Sequence, residues 1–124
     1  MSKDSILLEK TLHFSVRILE MDRYLKREKR KFVVSKQVVR SGTSIGANAH
    51  EALFAVSRAD FIAKLQLALK ECAETEYWLR LLLMAGYLSE KVGNSMLKDC
   101  GEIKGILMAS LKTAKEHSIA KKDK

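Results

Sequence analysis

Between Phe61 and Leu82, the residues Phe61, Leu65, Ala68, Cys72, Thr75, Leu79 and Leu82 alternate spacings of four and three without a fault. That row lies on one side of an α-helix, and its regularity calls for a second helix to pack against. The chain contains no proline, so nothing in it forbids long uninterrupted helices. Its 124 residues fit one domain with a single core.

The same reading extends to three further segments. Over 5–28, Phe14, Ile18, Met21 and Leu25 recur at helical spacing, and Leu8, Leu12 and Val16 form a second stripe beside them. A face that wide predicts burial against more than one neighbour. Over 33–56, Val34, Val38, Ile45, Ala49, Ala52 and Val56 share one side; the β-branched run Phe32-Val33-Val34 is too short for a strand and has no alternating partner. Ser57 and Asp60 read as the start of a third helix over 58–86, closed by Gly86. Ser89 reads as the cap of a fourth over 89–116, with Met96, Cys100, Ile103, Leu107 and Ser110 or Leu111 inward, followed by a basic tail over 117–124 whose Lys121-Lys122-Asp123-Lys124 end is expected to fray. Short links between long helices force antiparallel neighbours, so the expected fold is an all-α, antiparallel up-down-up-down four-helix bundle.

No apolar run approaches the ~20 residues needed to cross a bilayer. The amphipathic start disfavours a cleaved signal peptide, and the expected compartment is the cytoplasm. Cys72 and Cys100 are far apart and lack ligand spacing; both read as small buried thiols.

Ser41-Gly42-Thr43-Ser44-Ile45-Gly46-Ala47 lacks the Gly-Lys-Ser/Thr ending of a phosphate loop, and Gly42 and Gly46, one turn apart, predict a close helix crossing instead. Glu71, Glu74 and Glu76, with Glu51 facing them, resemble a carboxylate cluster. No histidine follows a glutamate at the three-residue spacing of di-iron bundles, so ion pairs such as Glu76 with Arg80 are expected in its place. His50-Glu51 has no second histidine to complete a zinc-protease helix, and no nucleophile and base come together. Neither a metal nor another cofactor is expected, and the chain reads as non-enzymatic.

The net charge is +8, which points to an anionic partner. Arg23, Lys26, Arg27, Lys29, Arg30 and Lys31 form the one dense basic cluster, with Arg23, Arg27 and Arg30 on one face if the helix persists and Arg40 as a further contributor. Cations in a line at a helix end suit a phosphate backbone, although the same run fits a solvated helix end, and no aromatic platform for stacked bases stands out. Tyr77-Trp78 opens a bulky stretch to Met84 that exceeds the heptad face; a surplus apolar face on a small bundle predicts self-association.

The run Val39-Arg40-Ser41-Gly42-Thr43-Ser44-Ile45-Gly46-Ala47-Asn48, then Glu51-Ala52, Ser57-Arg58-Ala59-Asp60-Phe61, residues 68–79 and Gly86-Tyr87-Leu88 resemble a known family. It is the bacterial four-helix-bundle family of 23S rRNA intervening-sequence proteins and the accessory variability proteins of diversity-generating retroelements. The resemblance spans nearly the whole chain. It implies a homopentameric ring with basic surfaces and, in the retroelement branch, a helper that binds nucleic acid and a reverse transcriptase. The expected function is that of an oligomeric RNA- or DNA-binding accessory protein; the alternative is a scaffold for a protein partner.

Overall fold

The computed structural model describes residues 3–30 and 33–122. It holds four helices: α1 (Lys3–Glu28), α2 (Val33–Ala52), α3 (Arg58–Met84) and α4 (Glu90–Lys122). Among the described residues there is no strand, and no helix is long and apolar enough to cross a membrane.

The contacts fix the topology. Gly42 and Gly46 of α2 meet Ile18 and Thr11 of α1, so one number falls as the other rises and the two helices are antiparallel. Ser41 with Thr75 and Glu51 with Lys64 give the same sense to α2 and α3. Leu83 against Gly93 and Cys72 beside Cys100 do so for α3 and α4. Each helix packs on its neighbours in sequence, and α4 closes on α1 through the sparsest seam. Arg17 to Asp99 (2.5 Å) and Lys10 to Glu102 (3.2 Å) bridge that seam.

The core is the expected one in its inner rows. Phe14, Ile18, Met21, Leu25, Val38, Ile45, Leu65, Leu79, Met96, Ile103 and Leu107 are all buried. The close crossing is also present: a Cβ on Gly42 would stand 2.8 Å from Ile18 Cδ1, and one on Gly46 3.2 Å from Thr11 Cβ.

Two boundaries differ from the sequence reading by more than two residues. α2 stops at Ala52, not at residue 56, because the N–H groups of Leu53, Phe54 and Ala55 bond three residues back to His50, Glu51 and Ala52 and tighten the chain into turns. The extended Ser57 then caps α3 by accepting from Asp60 N, and Val56, assigned to the buried face, is 94% exposed. α3 ends as expected, with Gly86 at φ 81° and bonds from Gly86 N to Leu83 O and from Tyr87 N to Leu82 O. α4, capped by Ser89, continues through Lys122, past its expected end at 116 and into the segment expected to fray from Lys121; residues 123–124 lie outside the described residues.

Register gives α4 a free end. Arg58 lies fourteen residues before Cys72 and Ala114 fourteen after Cys100, so the start of α3 is level with Ala114. Ala114 is buried, and the backbone of α4 runs on from that level to Lys122, past the start of α3.

Candidate nucleic-acid interface

The basic cluster occupies the turn between α1 and α2. α1 ends at Glu28; Lys29 N still donates to Leu25 O at 3.2 Å, but Arg30 takes a left-handed φ of 51° and leaves the helix. Arg23, Arg27 and Arg30 therefore do not share one helical face; Arg23, Lys26 and Arg27 line the end of the rod while Lys29 and Arg30 sit on the turn. Lys31 lies outside the described residues.

These cations are not equivalent. Lys26 pairs with Asp22 at 3.1 Å and Arg27 with Glu28 at 3.1 Å. Asp22 also accepts from Ser35 Oγ, which ties the turn to α2. Among the described residues, Arg23, Lys29 and Arg30 reach no carboxylate. A shallow depression of about 500 Å³ lined by Leu19, Asp22, Arg23, Lys26 and Arg27 marks the surface beside them.

Arg40 is engaged elsewhere. Its guanidinium spans Glu71 (3.3 Å) and Glu74 on α3, and Glu74 also accepts from Trp78 Nε1 at 3.2 Å. It belongs to the α2–α3 seam, away from the turn, and its positive charge is already matched by two carboxylates.

The glutamates pair with cations, as the sequence reading expects, though not all with the expected partner. Arg40 holds Glu71 and Glu74, Lys64 holds Glu51 at 3.1 Å, and Lys104 stands 3.1 Å from Glu76. The expected Glu76 to Arg80 pair gives way to this contact across the α3–α4 seam because both side chains lean toward their helix N-termini and meet near Cys72 and Cys100. No group of three possible metal ligands occurs among the described residues. Cys72 and Cys100 are free and buried, with Cys100 Sγ 3.7 Å from Cys72 O. The hydrogen bond with Cys100 and then burial push the Cys72 thiol far above the usual range, so it stays neutral and unreactive.

Two outward apolar rows complete the surface. Leu12, Val16 and Leu19 on α1 are 68%, 49% and 49% exposed, so of the second stripe expected to be buried, Leu12 and Val16 face out while Leu8 is half-buried. Four helices in a closed ring, each packed on two others, leave one side of each rod uncovered. On α3, Leu67, Tyr77, Leu81 and Met84 are likewise exposed.

The sequence matches the family model described as "23S rRNA-intervening sequence protein" over residues 3–109. The chain belongs to that family. It is similar to the crystal structure, at 1.70 Å resolution, of a protein with unknown function from the S23 ribosomal protein family of Bacteroides thetaiotaomicron VPI-5482. The two share 49% identity and a TM-score of 0.88 over 90% of this chain and 99% of that one. No functionally curated protein matches.

The family match takes in the basic turn, the Arg40 bridge and the Gly42/Gly46 crossing, and stops short of the overrunning end of α4. Sequence reasoning missed Tyr77 as a presented ring. It is 60% exposed and meets Trp78 edge-on at 5.1 Å. The available signal was its place opposite the Cys72, Thr75 and Leu79 row on the same helix.

Proposed function

We propose that this member of the 23S rRNA-intervening sequence protein family is a non-enzymatic, homo-oligomeric nucleic-acid-binding accessory protein, with the α1–α2 turn as its phosphate contact. The carrying observation is that Arg23, Lys29 and Arg30 sit together at one end of a +8 chain without carboxylate partners among the described residues. Arg27 has only the exposed Glu28 as its partner, a contact that a phosphate can displace, whereas Lys26 pairs with the mostly buried Asp22. The family name puts RNA first among the polymers to test. Backbone contacts of this kind bind without strong sequence preference.

The exposed Leu12, Val16 and Leu19 row supports self-association. A heterologous contact between this row and a different face of the next copy closes into a ring, of which a pentamer is one form.

The test is a titration of RNA and DNA by the intact protein at several salt concentrations. Neutralising Arg23, Lys29 and Arg30 together is expected to weaken binding and to lower the slope of log K against log salt by about 0.9 per contact on duplex DNA and about 0.7 on single strands. No binding at low salt overturns the proposal. The exposed apolar rows favour a second reading, a scaffold for a protein such as a reverse transcriptase; a pull-down yielding protein and no nucleic acid would support it.

A further inference from the structure

The outward side of α3 between Gln66 and Met84 combines an open aromatic ring with cations and no exposed acid. Leu67, Lys70, Tyr77 and Met84 lie on one face of α3 with Arg80 and Leu81 flanking Tyr77, and no exposed residue of α3 between Gln66 and Met84 is acidic, Glu74 between Lys70 and Tyr77 being half-buried. The three glutamates of this stretch are matched: Glu71 and Glu74 by Arg40, Glu76 by Lys104. Among the described residues Lys70 and Arg80 have no carboxylate partner.

The ring is held in place. Trp78, half-buried against the core, meets Tyr77 at an interplanar angle of 72°. Its indole N–H is bound by Glu74, and Glu74 by Arg40. The chain of contacts from Arg40 through Glu74 and Trp78 fixes the platform on which Tyr77 stands. A tyrosine so fixed loses little freedom when a flat partner covers it.

We propose that this strip docks single-stranded nucleic acid, with an unpaired base stacked on Tyr77 and phosphates taken by Lys70 and Arg80 on either side. The inference rests on the nucleic-acid reading above and sharpens it to unpaired strands. Every base offers a π-face to an aromatic side chain only when it is out of a duplex. Lys70 lies about 10 Å along the helix from Tyr77 and Arg80 about 4.5 Å on the other side, within reach of the backbone flanking one stacked base. Charge complementarity separates this strip from the α1 row, whose Leu12, Val16 and Leu19 suit another copy of the chain.

The experiment is a fluorescence-polarisation titration of the intact protein with an unstructured uridine or thymidine oligonucleotide of about fifteen residues and with a duplex of equal length. Tyr77→Ala is expected to weaken single-strand binding roughly tenfold while leaving its salt slope and the duplex affinity unchanged; Tyr77→Phe is expected to bind as the parent does. Lys70→Gln and Arg80→Gln are expected each to lower the single-strand slope by about 0.7. Circular dichroism and light scattering on each variant report folding and mass. If the parent binds no oligonucleotide, the nucleic-acid reading itself falls. If the parent binds and responds to loss of Arg23, Lys29 and Arg30 but not of Tyr77, only the strip is refuted. If Tyr77→Ala instead lowers the molar mass, the strip is a subunit contact and the inference is overturned.

Discussion

Gly42 on α2 lies so close to Ile18 on α1 that a Cβ added there would stand 2.8 Å from both Cδ1 and Cγ1 of a side chain with no exposed surface. Ile18 is branched at Cβ and enclosed, so it has little room to swing away. Gly42→Ala is therefore expected to destabilise the bundle by about 1–3 kcal/mol through overpacking, despite the helix propensity it gains. Denaturant melts of Gly42→Ala alone and combined with Ile18→Val check the cause, because the smaller partner should recover part of the loss.

Gly101 and Gly105 on α4 give the opposite expectation. A Cβ at either position meets nothing within 4 Å. Alanine at each is expected to raise stability by up to about 1 kcal/mol and to shift the thermal midpoint upward. A fall in both would show that the helix backbone is approached there by something outside the bundle.

Thr75 donates to Ser41 Oγ at 2.9 Å, with both residues wholly buried. Thr75→Val keeps the shape and removes the hydroxyl, at an expected cost of about 1–2 kcal/mol. Ser41→Ala with Thr75→Val should cost less than the sum of the two single changes, as a double-mutant cycle will show.

Arg40→Gln separates structure from binding. It leaves Glu71 and Glu74 without their shared partner and is expected to lower stability by about 1 kcal/mol, a modest figure because the guanidinium is half exposed. The salt slope of duplex binding should be unchanged. A slope reduced by a whole contact would return Arg40 to the phosphate interface.

The buried thiol pair predicts a pH dependence. The Cys72 pKa is raised in the folded chain, by the Cys100 hydrogen bond before burial, so the folded state keeps a proton that the unfolded chain gives up. Stability from this group is fully present below the ordinary thiol range and is lost as pH climbs above about 8.5 to 9. Melts from pH 7 to 10 on the parent and Cys72→Ala check the sign: the parent should lose more. A thiol reagent at pH 8 should label neither cysteine before unfolding.

Much of the fold was legible because each helix carries one inward row whose period matches 3.6 residues, as in the run from Leu65 to Leu82. Glycine positions were legible too: Gly42 and Gly46 announced the crossing and Gly86 the end of α3. What the sequence hid depends on who stands opposite. Leu12 and Val16 have the spacing of core residues, and only the four-cornered packing leaves them outside. Glu76 could reach Arg80 along its own helix, yet Lys104 comes across from α4. Arg40 looked like one more free cation until α3 supplied two carboxylates. The split of the basic cluster at Arg30 follows from a backbone reversal that charge alone does not encode.

The overrun of α4 past Ala114 gives the bundle unlike poles. The cationic bend between α1 and α2 lies at one pole and a helical extension of about 12 Å at the other. Any cyclic stack of parallel copies would then have two distinguishable rims, and a cargo arriving at one of them would never find the other an equivalent berth.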